Sequence, residues 1–168
     1  MVQMKNDRGL TLVELVIAVS IVTILVVVLG YEFTGWVGRF NIEGQVKQLY
    51  ADMTSARIRA LQRNRLHFVE IGTSSYQIYE DTASPFGGTV HSVGDTALWT
   101  AAKPLKYPAN AAVNMVIDTR GLIAPDPALV RFNVSADPDK PDADIDCINL
   151  TSIRITMGKW AGGTCVAK

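Results

Sequence analysis

Residues Leu10 to Leu29 read LTLVELVIAVSIVTILVVVL, an unbroken apolar run of twenty residues whose one charge is Glu14. At about 1.5 Å per helical residue such a run spans roughly 30 Å, the thickness of a bilayer's hydrocarbon core. A cleavable secretory signal has a shorter apolar stretch, about 7–15 residues, ahead of a small-residue cleavage site. Here the run is longer and passes into Gly30, Tyr31 and Glu32. It reads as a membrane helix that is retained. Lys5 and Arg8 precede it, so the positive-inside rule keeps that end cytoplasmic and places residues 31–168 across the membrane.

Glu14 does not suit an ordinary anchor, because an ionised side chain near the bilayer centre costs about 2–3 kcal/mol. The polar leader MVQMKNDRG stops abruptly at Gly9. A cut after Gly9 makes Leu10 the first residue and leaves Glu14 about 6 Å along the helix from the new amino group, near the membrane edge. The carboxylate can then pair with a positive N-terminal amine, its own or a neighbour's. The alternative is a carboxylate that snorkels to the interface.

Arg8-Gly9-Leu10-Thr11-Leu12-Val13-Glu14-Leu15 resembles the processing motif of type IV prepilins and type II secretion pseudopilins: a short basic leader ending in Gly, then an apolar helix with Glu at its fifth position. The resemblance implies that a prepilin peptidase cuts between Gly9 and Leu10 and methylates Leu10, and that Glu14 neutralises the amine of an adjacent subunit during filament assembly. Most members have Phe where this chain has Leu10.

Beyond Gly30, Val46, Leu49, Met53, Ala56 and Ala60 recur at three- and four-residue steps, the pattern of a helix that lays one stripe on a core. No proline occurs before Pro85, so the spacing predicts one helix over 10–65, with Gly30, Gly35 and Gly38 as its flexible point. Lys47, Arg57, Arg59, Arg63 and Arg65, with His67 just beyond, read as a solvated face whose cations suit a helix C-terminus; a phosphate-binding patch is the other reading. Residues 56–64, ARIRALQRN, resemble the helix end of minor pilins and pseudopilins of the GspH/FimT type.

After Arg65 the pattern turns to strand: 66–72 and 75–81 parted by Thr73-Ser74, then 112–118, a Thr119-Arg120-Gly121 turn, 128–135 and 147–157. A short strand is expected near 89–93 inside the loop-rich span 82–111. One long helix followed only by strands argues for an α+β domain with the helix on antiparallel sheet. The stretch MVIDTRG is similar to the strand-turn signature of GspH/FimT-type domains. The expected organisation is therefore a cleaved leader over 1–9, a transmembrane and assembly helix over 10–30, and a periplasmic domain over 31–168.

Charge and motifs narrow the function. Sixteen Lys+Arg balance sixteen Asp+Glu, so no net charge points to nucleic acid. No phosphate loop, Gly-x-Ser-x-Gly or His-Glu-x-x-His occurs, and His67 and His91 are isolated, so neither an enzyme nor a cofactor is implied. Trp36, Trp99 and Trp160 read as core or interface anchors. Asp142, Asp144 and Asp146 alternate within an acidic run that reads as a solvated loop, with a loose calcium site as the alternative; Cys147 and Ile153 stand where an EF-hand needs Gly and Glu. Cys147 and Cys165 are expected to form a disulfide in an oxidising periplasm, against two reduced buried thiols; such a bond resembles the C-terminal disulfide loop of many pilins.

The function implied is that of a minor pilin or pseudopilin, a structural subunit of a type IV pilus or type II secretion filament. It would start as a single-pass inner-membrane precursor, and its partners would be prepilin peptidase and other pilin subunits. The rival is a DNA-binding minor pilin for natural transformation, for which Arg154 and Lys159 are the candidate contacts. The strand TSIRITMGKW that holds them lacks the basic Gly-Arg-x-Arg element of FimT-like DNA binders.

Overall fold

The computed structural model describes residues 11–84, 86–125, 128–131 and 143–168, with the backbone alone at 29–35 and 128. Helix α1 runs from Leu12 to Arg63 and passes the glycines at 30, 35 and 38 without a break. A glycine weakens a helix by up to about 1 kcal/mol but keeps the N–H that continues its ladder, whereas proline does not. The helix closes where Asn64 takes a left-handed φ of 54°, a common helix-ending conformation. The chain forms two compact units, Met1–Val37 and Gly38–Lys168.

In the second unit, β1 (His67–Ile71) and β2 (Ser75–Glu80) form a hairpin closed by the Gly72 N–H donating to the Ser75 carbonyl at 2.8 Å. Two short strands, β3 (Thr96–Ala97) and β4 (Lys103–Pro104), pair with β2, while β5 (Val113–Ile117) pairs with β1 and β6 (Ile123–Ala124) with β5. No strand forms at 89–93. The Ser92 N–H turns instead to the Asp95 carboxylate at 2.6 Å, and pairing with β2 resumes at Thr96. The expected turn after β5 is present: Asp118 Oδ1 accepts the N–H groups of Arg120 and Leu122 at 2.9 and 2.7 Å, and Gly121 supplies the φ of 76°.

A second antiparallel sheet contains β7 (Ala128–Arg131), β8 (Cys147–Leu150), β9 (Ile155–Ala161) and β10 (Thr164–Ala167), in the order β10-β9-β8-β7. The single strand expected over 147–157 is in fact the hairpin β8–β9. Thr151 makes the turn: its N–H donates to the Arg154 carbonyl at 2.8 Å and its hydroxyl accepts the Arg154 N–H at 3.1 Å. A threonine hydroxyl that bonds nearby backbone competes with a continuing ladder. Residues 132–135, expected to extend β7, lie outside the described residues.

Helix and sheets share one core. Ile42, Val46, Leu49, Met53, Ala56 and Ala60 are all fully buried on one face of α1, as the spacing predicts. Of these, the five from Val46 on join a cluster with Val69, Ile78 and Met115 of the first sheet and Val130, Ile148 and Leu150 of the second. Full burial of each large aliphatic side chain contributes about 1.5–3 kcal/mol. The fold is α+β, a helix with antiparallel sheets, consistent with a pilin-like fold.

Candidate functional site

Gly9 and Leu10, where cleavage is expected, lie outside the described residues; Thr11 is the first described. Its carbonyl accepts the first helical hydrogen bond, from the Leu15 N–H at 3.1 Å, and its hydroxyl accepts the Glu14 N–H at 3.2 Å. Thr11 is thus the N-cap of α1 and Glu14 its third residue, the Thr-x-x-Glu spacing of a capping box. Thr11 does not stand out in the apolar run, and its three-residue distance from Glu14 is the signal that marks it. Glu14 therefore sits in the first turn, where backbone N–H groups and the helix dipole favour a negative charge.

From Leu12 onward the helix shows apolar side chains on every side. Leu12 is 78% exposed and Val28 60%, with Val16, Ile17, Val22 and Ile24 among those between them also exposed. The two hydroxyls in this stretch turn inward to the helix itself: Ser20 donates to the Val16 carbonyl and Thr23 to the Val19 carbonyl, both at 2.8 Å. Their polar atoms need no water, which is what an apolar surrounding demands. Monomeric soluble proteins rarely leave a contiguous apolar surface of more than a few hundred Å² open. Among the described residues no helix is long and apolar enough to cross a membrane; the side chains described in the run stop at Val28.

At the other end of the chain a disulfide joins Cys147 of β8 to Cys165 of β10, with Cα atoms 5.9 Å apart. Two strands that flank a third ordinarily lie about 9.5 Å apart, so the sheet curls over β9 here. At Gly158, paired with Cys147, β10 comes so close that a Cβ would lie 2.0 Å from the Val166 carbonyl oxygen.

The remaining candidate groups are mostly occupied by protein partners. Asp144 accepts a bond from Lys168 Nζ at 3.0 Å and Asp146 from the Trp160 N–H at 2.7 Å, while Asp142 lies outside the described residues. Among the described residues no three His, Cys, Asp or Glu side chains are grouped to hold a metal. Arg154 is exposed in the β8–β9 turn and Lys159 is half-buried on β9.

The basic set lies at the surface, with Lys47, Arg59, Arg63 and Arg65 exposed, and several of its cations have protein partners. Arg57 donates to the Ile153 carbonyl at 2.8 Å, Lys47 pairs with Glu43 at 3.3 Å, and Arg63 and Arg65 both pair with Glu80. His67 is fully buried, and that burial pushes its imidazole below the ordinary histidine range. Of the tryptophans, Trp99 packs against the core, Trp160 lies under the Arg131 guanidinium at 5.3 Å, and Trp36 is exposed.

Residues 4–30 match the family model of the prokaryotic N-terminal methylation motif, the signature of type IV pilins and pseudopilins. No curated protein and no solved structure matches the chain. The motif supports a type IV pilin-like precursor that prepilin peptidase processes and that assembles with other pilin subunits. It points to a membrane-anchored structural subunit and not to an enzyme.

Proposed function

We propose that the chain is a minor pilin or pseudopilin of the GspH/FimT type. It enters the inner membrane with Lys5 and Arg8 cytoplasmic, is cut between Gly9 and Leu10, and is methylated at Leu10. The helix over 10–30 then leaves the bilayer for a filament, where neighbouring helices cover its bare apolar sides, and residues 31–168 stay outside the membrane. Glu14 offsets the positive N-terminus of the adjacent subunit, a charge pair strengthened by the low dielectric around it.

The observation that carries this reading is the conjunction of the methylation motif with exposed apolar side chains from Leu12 to Val28. Neither the motif nor the surface is explained by a soluble monomer. Mass spectrometry of the protein from its native host tests it: the N-terminus is expected at a methylated Leu10, and an intact Met1 or a cut near Gly30 overturns the reading. Glu14→Gln is expected to leave cleavage intact while removing the subunit from isolated filaments. Normal incorporation of that variant overturns the role given to the carboxylate.

A further inference from the structure

The outer face of the first sheet holds a site that assembly through the helix over 10–30 does not use. Gln77, Glu70 and Asn114 stand in one row across β2, β1 and β5, and together with Ser75 and Tyr79 they line a cavity of about 290 Å³. No Lys or Arg lines it. Glu70 is bonded through Oε1 to His91 Nδ1 at 2.5 Å, and the His91 ring stacks on Tyr79 with centroids 3.9 Å apart. Among the described residues no other side chain bonds this carboxylate.

Gln77 supplies a second, independent sign of a missing donor. It is 7% exposed, and its Nε2 donates to the Trp99 carbonyl at 2.9 Å. That bond orients the amide and leaves Oε1 buried with no partner among the described residues. Buried acceptors are almost always satisfied in native proteins. A carboxylate, an unpaired amide oxygen and a tyrosine ring together match a group that is cationic and rich in N–H donors. Burial and the nearby Glu70 charge, in that order, push the Tyr79 hydroxyl up, as expected where negative charge is close by.

Asn114 is shared with a second cavity of about 580 Å³ whose walls include Val90, Val116, Ala124 and Pro125. An anionic, acceptor-rich cavity and an apolar one thus adjoin on the two sides of a single exposed residue. We propose that the two act as one groove that binds an extended peptide segment of a partner protein, with a Lys or Arg side chain beside Glu70 and Gln77 and an apolar side chain of the same segment against Val116.

The full-length chain in nonionic detergent, titrated against a fluorescein-labelled peptide of alternating lysine and valine, tests this by anisotropy. Salt-sensitive binding is expected. Exchange of lysine for glutamate or valine for serine in the peptide, or Glu70→Gln in the protein, is expected to weaken it by about tenfold or more. Glu70→Gln is expected to keep the circular dichroism spectrum and unfolding midpoint of the unaltered chain, and this separates lost charge from lost structure. Binding that survives Glu70→Gln, that weakens only together with a lowered unfolding midpoint of that variant, or that N-acetyl-lysinamide alone reproduces at the same affinity overturns the proposal. So does the absence of binding.

Discussion

Helix α1 contains two stretches rich in apolar residues that meet opposite fates. From Leu12 to Val28 the apolar side chains point in every direction and remain exposed, whereas Ile42, Val46, Leu49, Met53, Ala56 and Ala60 keep to one face and are fully buried, leaving Ile58 on the wet side. The polar residues explain the difference. The later stretch alternates its stripe with Glu43, Lys47, Gln48, Asp52 and Arg57, which give it a wet side; the earlier one has Glu14, Ser20 and Thr23 alone. A one-sided stripe is satisfied by a sheet of its own chain, but a helix apolar all round needs a solvent or neighbours that are apolar too. One element thus serves two environments.

The sharpest break in this comparison is a matched pair of truncations. Leu49→Ala is expected to destabilise the globular unit by about 2–5 kcal/mol through the cavity it leaves, while Val22→Ala changes it by less than about 0.5 kcal/mol. Chemical denaturation followed by tryptophan fluorescence checks both, and similar effects of the two would remove the distinction between the stretches. Next in size is Gly158→Ala, which forces β10 off β9 where a Cβ meets the Val166 carbonyl. A loss of about 1–3 kcal/mol is expected, with faster reduction of the Cys147–Cys165 bond and helix content unchanged in circular dichroism.

The smallest effect is a pH dependence that belongs to the buried region alone. Burial lowers the His67 pKa in the folded chain, so the folded state binds fewer protons there than the unfolded state. Its contribution is complete above the free histidine value of about 6.5 and is lost as the pH falls below it. The denaturation midpoint is expected to drop between neutral pH and mildly acidic pH, less so in His67→Asn. An equal drop in that variant assigns the dependence elsewhere.

Much of the fold was legible because its signals are local. The stripe from Val46 to Ala60 follows helical spacing, the β1–β2 hairpin alternates about Thr73-Ser74, and the Asp118–Gly121 turn holds the residues such a turn needs. The run 147–157 misled because each half alternates, Ile148 with Leu150 and then Ile153, Ile155 and Met157. The signal was the change of phase at Thr151-Ser152, where Thr151 turns back on Arg154. The candidate site was legible at Glu14 and missed at Thr11, whose capping role was implicit in its distance from Glu14. His67 was read beside a row of cations, yet its burial depends on strands that close over it.

By itself the sequence determined that residues from Leu12 form a helix apolar on all sides, that the chain carries an N-terminal methylation motif, and that helix precedes sheet. Each is set by contiguous residues, through hydrogen bonds and side-chain periodicity that span a few positions. The Cys147–Cys165 bond was expected from the two cysteines, but tertiary structure alone decided how β10 curls over Gly158 to form it, that Arg63 and Arg65 both meet Glu80, and that His91 crosses twenty-one residues to Glu70. Such contacts join groups whose separation along the chain is unrelated to their distance in space. Their energies arise after loop closure has been paid for by the burial of a common core.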